Sequence, residues 1–307
     1  MYKKDILKCI GNTPLLELKN IEKEYNLKFK LFAKLERSNP SGSVKDRAAL
    51  YIIKEALKNK EIDENSTIIE ATSGNTGISL AMICASLNLK CILVMPESAS
   101  IERVKLMKAL GAEVILTKKE LGMNGSVNKA NELAKEIENS YLTKQFDNIS
   151  NVNAHYFGTS LEILNDLDNK LDVFIAGFGT SGTLIGCAKR FKEVNKDIKI
   201  IGVEPFSSPL VNKNVAGSHE IQGIGANFIP TLYQKDLVDE VIDVTNEDAY
   251  KNVMILAKKE GILAGISSGA CLEGALKLND KKEYEGKNVV IILPDNLERY
   301  LSVEGLL

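Results

Sequence analysis

The alternation of strand-like and helix-like segments along most of the 307 residues constrains the fold more than any other feature. The strand-like segments are short and nearly unbroken apolar runs, bounded by turn residues and followed by segments with helical periodicity. Unbroken apolar strands are typical of parallel sheets that are covered on both faces. Short connections between the segments favour a doubly wound α/β architecture. We therefore predict two α/β blocks that meet near residue 148, with a ligand cleft between them.

The predicted elements follow from this pattern. The predicted strands are TIIEAT (67–72), KCILVM (90–95), AEVILT (112–117), LDVFIAG (171–177), IKIIGVE (198–204) and NVVIILP (288–294). The predicted helices are AALYIIKEALK (48–58), 74–87, 100–111, one from about Asn124, 151–167, 181–194, 246–260 and one after Ser267.

Composition excludes several classes of function. A net charge of -2 gives no reason to expect nucleic acid or an anionic membrane surface as partner. No apolar run reaches the roughly 20 residues that span a bilayer, and the N-terminus lacks a secretory pattern, so we expect a cytoplasmic protein. The five cysteines are scattered, and the two histidines are far apart. We therefore predict no metal site and no Ser-His-Asp hydrolase.

Lys45 is the first candidate for chemistry. It follows the polar turn SNPSG and precedes a helix-like run, which places it in the first turn of a helix. The positive end of a helix, together with burial, favours the neutral amine that a Schiff base requires. An exposed lysine beside Asp46 and Arg47 is the alternative interpretation.

The segment EATSGNTGISL is the second candidate. Thr72, Ser73, Asn75 and Thr76 surround a glycine at the start of a helix. Backbone N–H groups at a helix N-terminus bind anions, and this loop would suit a carboxylate. A cluster of N-cap residues is the alternative, although one cap needs only one such residue.

The segment VFIAGFGTSGTLIG is the third candidate. Gly177, Gly179 and Gly182 match Gly-x-Gly-x-x-Gly between a strand and a helix, and Glu204 ends the next strand. This pattern fits a nicotinamide dehydrogenase. It fits equally a single phosphate held by backbone amides and by nearby hydroxyls. The motif alone leaves both interpretations open.

Several motifs in register decide between them. PSGSVKDR, TSGNTGI, GFGTSGT, QGIGANFIP and GILAGISSGA closely resemble the cysteine synthase (O-acetylserine sulfhydrylase) family, which is related to the cystathionine β-synthases. The resemblance covers residues 9 to 303. It implies a tryptophan-synthase-β-like (type II) fold, pyridoxal 5'-phosphate as cofactor, and a β-replacing transferase or lyase. The implied domains are residues 1–36 with 149–307, which anchor the cofactor, and a small mobile domain, residues 37–148, which carries the carboxylate loop.

The resemblance also implies roles for single residues. Lys45 corresponds to the catalytic lysine that forms the Schiff base and moves the Cα proton. The implied cofactor-binding residues are Lys45, Asn75, Gly179, Thr180, Ser181, Gly182, Thr183 and Ser267. The implied substrate-binding residues are Thr72, Ser73, Asn75, Thr76, Gln145 and Gly225.

The substrate is the least determined part of this prediction. We expect β-replacement through an α-aminoacrylate, with O-acetylserine and sulfide giving cysteine and acetate. Cysteine or serine as first substrate, with release of hydrogen sulfide and formation of lanthionine or a related thioether, is the alternative, because LPDNLERY differs from the serine-rich form usual in cysteine synthases. A non-catalytic binding protein on this fold is the third hypothesis. The family implies a homodimer and permits a serine acetyltransferase as partner.

Overall fold

The computed structural model of the chain describes residues 2–72 and 74–306. The strands are β1 (Leu15–Glu17), β2 (Lys30–Leu35), β3 (Thr67–Ala71), β4 (Lys90–Pro96), β5 (Glu113–Thr117), β6 (Ser140–Leu142), β7 (Val173–Gly177), β8 (Lys199–Pro205), β9 (Glu240–Val244) and β10 (Asn288–Leu293). The helices are α1 (Lys19–Glu24), α2 (Lys45–Lys58), α3 (Asn75–Leu87), α4 (Ile101–Ala109), α5 (Gly122–Glu136), α6 (Ile149–Ala154), α7 (Ser160–Asp166), α8 (Gly182–Val194), α9 (Leu210–Lys213), α10 (Asn246–Glu260) and α11 (Ile266–Leu276).

The chain forms two compact units. The first runs from the N-terminus to Ile10 and from Asn39 to Asn151, and the second contains Gly11–Ser38 and the chain from Val152 onward. The domain division predicted from the sequence, with its mobile smaller part, stays a prediction.

The first unit contains a parallel sheet of four strands in the order β5-β4-β3-β6. Its strands bury both faces, because adjacent residues such as Ile68 and Ile69 belong to different apolar clusters. Helices α2, α3 and α4 cover the face of Ile68, and α5 packs against β3 and β4. The unbroken apolar run of β3 therefore follows from burial on two sides.

The second unit contains a sheet of six strands in the order β1-β2-β10-β7-β8-β9. Only β1 is antiparallel to its neighbour, and the other pairs are parallel. In β7, Val173 and Ile175 face the cluster built with α10 and α11, whereas Phe174 and Ala176 face the cluster of α7 and α8. Helices on both faces make this sheet doubly wound, as predicted.

The predicted α/β fold is confirmed, and most predicted elements lie within two residues of their observed bounds. The helix predicted at 151–167 is wrong in one respect. It is interrupted by a π-helical turn at His155–Thr159, between α6 and α7. A turn of this kind inserts one residue into the helical repeat and changes which side chains face inward. Here it places the His155 ring against Thr159 and Thr183.

Candidate active site

Lys45 is the first residue of α2, and a buried carboxylate holds the turn that precedes it. Asp46 accepts hydrogen bonds from the Ser41 backbone N–H at 2.7 Å, from the Ser41 hydroxyl, and from the Ser79 hydroxyl at 2.6 Å. Ser79 lies in α3, and its Oγ is 3.0 Å from the carbonyl oxygen of Asn75. The start of α2 is therefore tied to the start of α3.

The predicted carboxylate loop lies between β3 and α3. Thr72 directly follows β3 and is buried, and its Oγ1 accepts the Gly74 N–H at 3.3 Å. Gly74 is the N-cap of α3 and has no side chain that could cap the helix. Backbone N–H groups at such a helix N-terminus suit an anion. Ser73, also predicted to bind the substrate, lies outside the described residues.

Gln145 is held against this loop by its side-chain amide. The Thr76 hydroxyl donates to Gln145 Oε1 at 2.7 Å, and Gln145 Nε2 donates to Glu70 Oε1 at 3.1 Å. The Asn151 side chain donates to the carbonyl oxygen of Gln145 at 2.9 Å. The structure therefore brings Gln145 together with Thr76, although 69 positions separate them in the sequence.

Glu70 is a residue of this site that sequence reasoning missed. It lies in β3, is 4% exposed, and accepts hydrogen bonds from the Thr143 hydroxyl and from Gln145. Burial raises the pKa of Glu70 to about 7, although the hydrogen bonds of Thr143 and Gln145 oppose this shift. A single acid inside the apolar run TIIEAT is the signal that could have found it, because a buried carboxylate requires donors.

The predicted phosphate loop lies in the second unit, between β7 and α8. Gly179 permits a close approach of two backbone segments, because a Cβ at this position would lie 2.6 Å from the Gly223 carbonyl oxygen. Ser181 is the N-cap of α8 in a left-handed conformation, with φ of 68°. The Ser181 hydroxyl is buried and has no hydrogen-bond partner. A buried hydroxyl without a partner at a helix N-terminus fits an anionic ligand.

A buried histidine supports this loop from the π-helical turn. The Nε2 atom of His155 is 3.2 Å from Thr183 Oγ1, and its Nδ1 is 2.9 Å from Thr159 Oγ1. The Gly182 N–H donates to Thr180 Oγ1 at 3.4 Å. The loop therefore combines backbone N–H groups at the start of α8 with hydroxyls that neighbouring groups hold in place.

Ser267 and Gly225 lie near the same loop. Ser267 is buried in the first turn of α11, and a Cβ at Gly223 would lie 3.8 Å from its Oγ. Gly225 has φ of 64°, and its N–H donates to the Phe178 carbonyl oxygen at 3.1 Å. The predicted cofactor residues of the second unit are thus close together around Gly223 and Phe178.

Glu204 does not have the role that a dinucleotide motif would give it. Its two carboxylate oxygens accept the backbone N–H groups of Val211 and Asn212 at 2.9 and 3.0 Å. This carboxylate therefore holds the start of α9 and is engaged within the fold. Glu204 is therefore not available to bind the ribose of a dinucleotide, as a nicotinamide dehydrogenase would require.

Other kinds of site find no support in the described part of the chain. Residues 2–72 and 74–306 contain no cluster of three or more His, Cys, Asp or Glu side chains that could hold a metal ion. None of the five cysteines, all within these ranges, forms a disulfide. None of the helices in these ranges is long and apolar enough to cross a membrane.

Comparison with known proteins identifies the family. The family model "Pyridoxal-phosphate dependent enzyme" matches residues 6–295 of the chain. The chain belongs to this family. The predicted cofactor and enzyme class are thereby confirmed.

Individual relatives support the resemblance to cysteine synthases. The chain is 52% identical to cysteine synthase B of Campylobacter jejuni, over 97% of each chain. It superposes on the crystal structure of cysteine synthase from Entamoeba histolytica with a TM-score of 0.96 and 42% identity, over 99% of this chain and 90% of the other. A hydrogen sulfide-producing enzyme from Fusobacterium nucleatum gives a TM-score of 0.93 with 46% identity, over 98% and 100% of the two chains. The predicted type II fold is therefore confirmed.

The residues present fit pyridoxal phosphate as this family's cofactor. The unpartnered Ser181 hydroxyl and the open N-terminus of α8 suit its phosphate. Lys45 supplies a primary amine on a fixed helix N-terminus, and Ser267 supplies a neutral hydroxyl at the start of α11.

Proposed function

We propose that the chain replaces the acetoxy group of O-acetylserine by sulfide and so forms cysteine and acetate. The observation that carries this proposal is the link from Asp46 through Ser79 to the first residue of α3. It fixes the amine-bearing helix against the loop that suits a carboxylate. A small amino acid bound there by its carboxylate would lie beside the helix that carries Lys45.

The cofactor supplies an electron sink that acidifies the Cα–H bond of a bound amino acid and allows the β-substituent to leave. Lys45 would hold the cofactor covalently through Nζ. The Lys45 amine would also take the Cα proton of the bound amino acid as general base. Its position at the first residue of α2 supports this role, since the positive helix end favours the neutral amine.

The substrate carboxylate is bound by the loop between β3 and α3. Backbone N–H groups of the first turn of α3, with that of Thr76 among them, donate to it, together with the side chains of Thr72, Ser73 and Asn75. Gln145 adds an amide donor from the segment after β6. Asn75 also orients the ring of the cofactor through its side chain. Gly225 lines the approach to this site.

The phosphate loop and Ser267 orient the cofactor from the second unit. Gly179, Thr180, Ser181, Gly182 and Thr183 donate backbone and hydroxyl hydrogens to the phosphate. Ser267 would present a hydroxyl to the ring nitrogen of the cofactor. Because this hydroxyl is neutral, it would not stabilise a positive charge there as a carboxylate would, and elimination of the β-substituent would be favoured over transamination.

One assay tests the proposal. The purified holoenzyme is incubated with O-acetylserine and sulfide, and cysteine formation is followed. We expect cysteine in proportion to the acetate released. Acetate without cysteine, or neither product, would contradict the proposed function.

Cysteine as first substrate is the second candidate, because one feature of the C-terminal segment favours it. Asp295 of LPDNLERY is buried and accepts the Tyr300 hydroxyl at 2.5 Å. This segment departs from the serine-rich sequence usual in cysteine synthases, and a hydrogen sulfide-producing relative is 46% identical to the chain. Incubation with cysteine alone separates the candidates: rapid sulfide release without O-acetylserine favours the second.

The assembly and location of the protein belong to the same proposal. We expect a homodimer in the cytoplasm, and a serine acetyltransferase as a possible partner, because the family resemblance implies or permits them. Light scattering of the purified protein measures the first expectation. A single species with the mass of one 33.7 kDa chain would contradict it.

A further inference from the structure

Glu70 binds the segment that carries Gln145 at more points than any single neighbouring side chain described above, although Asn148 and Asn151 also donate to its backbone. Glu70 accepts hydrogen bonds from the Thr143 hydroxyl and from Gln145 Nε2. The backbone N–H groups of Lys144 and Gln145 donate to it as well. One carboxylate therefore gathers donors from three consecutive residues after β6.

The backbone of this segment needs such support. Lys144 has φ of 49°, a left-handed conformation that residues other than glycine rarely adopt. Its side chain is exposed, while Thr143 and Gln145 on either side are buried. The hydrogen bonds to Glu70 stabilise this conformation and direct the Gln145 side chain toward Thr76.

The direction of these hydrogen bonds fixes the Gln145 amide. Above its pKa of about 7, Glu70 is ionised and accepts only, so the amide nitrogen of Gln145 must face it. The amide oxygen then faces Thr76 and accepts its hydroxyl proton. In the part of the chain that the structure describes, the amide nitrogen donates to Glu70, and its second N–H is left for a ligand. A donor at position 70 would accept either orientation of the amide, and the N–H would then be misplaced in part of the molecules.

We propose that Glu70 is a positioning residue, which orients the Gln145 amide so that it donates to the carboxylate of the amino-acid substrate. This inference rests on the proposed function, because it assigns the Gln145 amide to that carboxylate. Glu70 does not contact the substrate itself. It acts through Gln145, and this contact gives the buried carboxylate one of the donors that it requires inside an apolar strand.

A double-mutant cycle tests this role. The variants are Glu70→Gln, Gln145→Ala and the two combined, all as holoenzymes. The probe is L-serine, which has the ammonium and carboxylate of O-acetylserine but a poorer leaving group, and its Kd is measured by calorimetry. We expect Glu70→Gln to raise this Kd about tenfold, as for loss of a hydrogen bond to a charged group. In the Gln145→Ala background the same change should alter the Kd less than twofold.

Two controls separate positioning from general damage. Glu204→Gln removes another buried carboxylate that accepts two hydrogen bonds, in the other unit, and should leave the Kd within twofold. Serinamide lacks the carboxylate, so its binding should not respond to Glu70→Gln. The inference is wrong if Glu70→Gln leaves the L-serine Kd unchanged, or if its effect persists fully in the Gln145→Ala background.

If Glu70→Gln does not fold, a second variant can test the same role. Thr143→Val removes one donor to Glu70 and keeps the side-chain shape. Thr117→Val is its match, because Thr117 also makes a hydroxyl hydrogen bond, at 2.8 Å to Ser126, in the same unit. We expect about a threefold rise in Kd for the first alone, lost on the Gln145→Ala background. Cysteine formation by the wild-type enzyme reports on the proposed function separately, whatever these Kd values show.

Discussion

The two loops that we propose to bind anions have the same arrangement and differ in the side chains that support them. Each follows a parallel strand and opens a helix, the first between β3 and α3 and the second between β7 and α8. Behind the first, Thr76 and Gln145 lead to the ionisable Glu70. Behind the second, Thr183 meets His155, and Ser181 keeps a buried hydroxyl without a partner.

This difference corresponds to two kinds of ligand. A phosphate that stays bound can be matched by a rigid loop, whose unsatisfied donor is stabilised only when the ligand is present. A substrate carboxylate arrives and leaves in every turnover, so its donors need partners in the free enzyme. In the first loop, Gln145 and Glu70 are the hydrogen-bond partners of these donors. In the second loop, the Ser181 hydroxyl has its partner only when the phosphate is bound.

Lys45→Ala should give the largest effect, because it should remove activity and leave cofactor binding by the second loop in place. We expect the rate of cysteine formation to fall at least about 1,000-fold, because nucleophile and general base are lost together. The cofactor should remain bound through the phosphate loop, without its covalent link. Mass spectrometry of the reduced protein and the assay above measure both effects. Lys54→Ala, an exposed lysine on the same helix, should match the wild type. Unchanged activity in Lys45→Ala would refute the proposed mechanism.

Ser181→Ala should affect only the second loop. Loss of this buried hydroxyl should weaken binding of pyridoxal phosphate to the apoenzyme about tenfold, since one donor to a charged group is lost. The KM for O-acetylserine should change less than twofold. Fluorescence titration with the cofactor measures the first quantity. Ser268→Ala, which removes another buried hydroxyl without a partner, should leave cofactor affinity unchanged. Equal losses in both variants would contradict the phosphate role.

The smallest predicted effect is a pH dependence confined to the first loop. The pKa of Glu70 is raised from 4.5 to about 7 by burial, so the folded state binds more protons than the unfolded state between these values. The stabilising contribution of Glu70 is therefore complete below pH 4.5 and is lost as the pH rises to 7. Relative to Glu70→Gln, the wild type should lose about 1 kcal/mol of unfolding free energy between pH 6 and 8.

Urea unfolding of the apoprotein at both pH values measures this difference. Ser181→Ala should keep the pH dependence of the wild type, because no group with a raised carboxyl pKa contacts that hydroxyl. If the unfolding free energies of the wild type and Glu70→Gln differ by the same amount at both pH values, Glu70 is ionised in the folded and the unfolded state. The two loops would then not differ in their response to pH.

Sequence reasoning succeeded where periodicity and motif order carried the signal. The strands β3, β4, β5, β7, β8 and β10 are unbroken apolar runs, and their positions were predicted. The short or polar strands β1, β2, β6 and β9 were not. Lys34 shows the reason, since it is fully buried in β2 and pairs with Glu162 and Asp166 at 3.1 and 3.2 Å. A lysine whose partners lie more than a hundred residues away looks solvent-exposed in the sequence.

The sequence by itself determined the fold class and, through motifs that resemble one family, the cofactor, and it predicted the lysine. The fold class depends on apolar runs and turn residues, which are local patterns that retain their meaning without knowledge of distant neighbours. Only the tertiary structure decided that Glu70 meets Gln145, that Glu204 caps α9 and that Ser181 has no partner in the fold. Each of these is a question of which donor faces which acceptor. The answer depends on the packing of segments that are far apart in the chain, where burial makes every unmatched polar group costly.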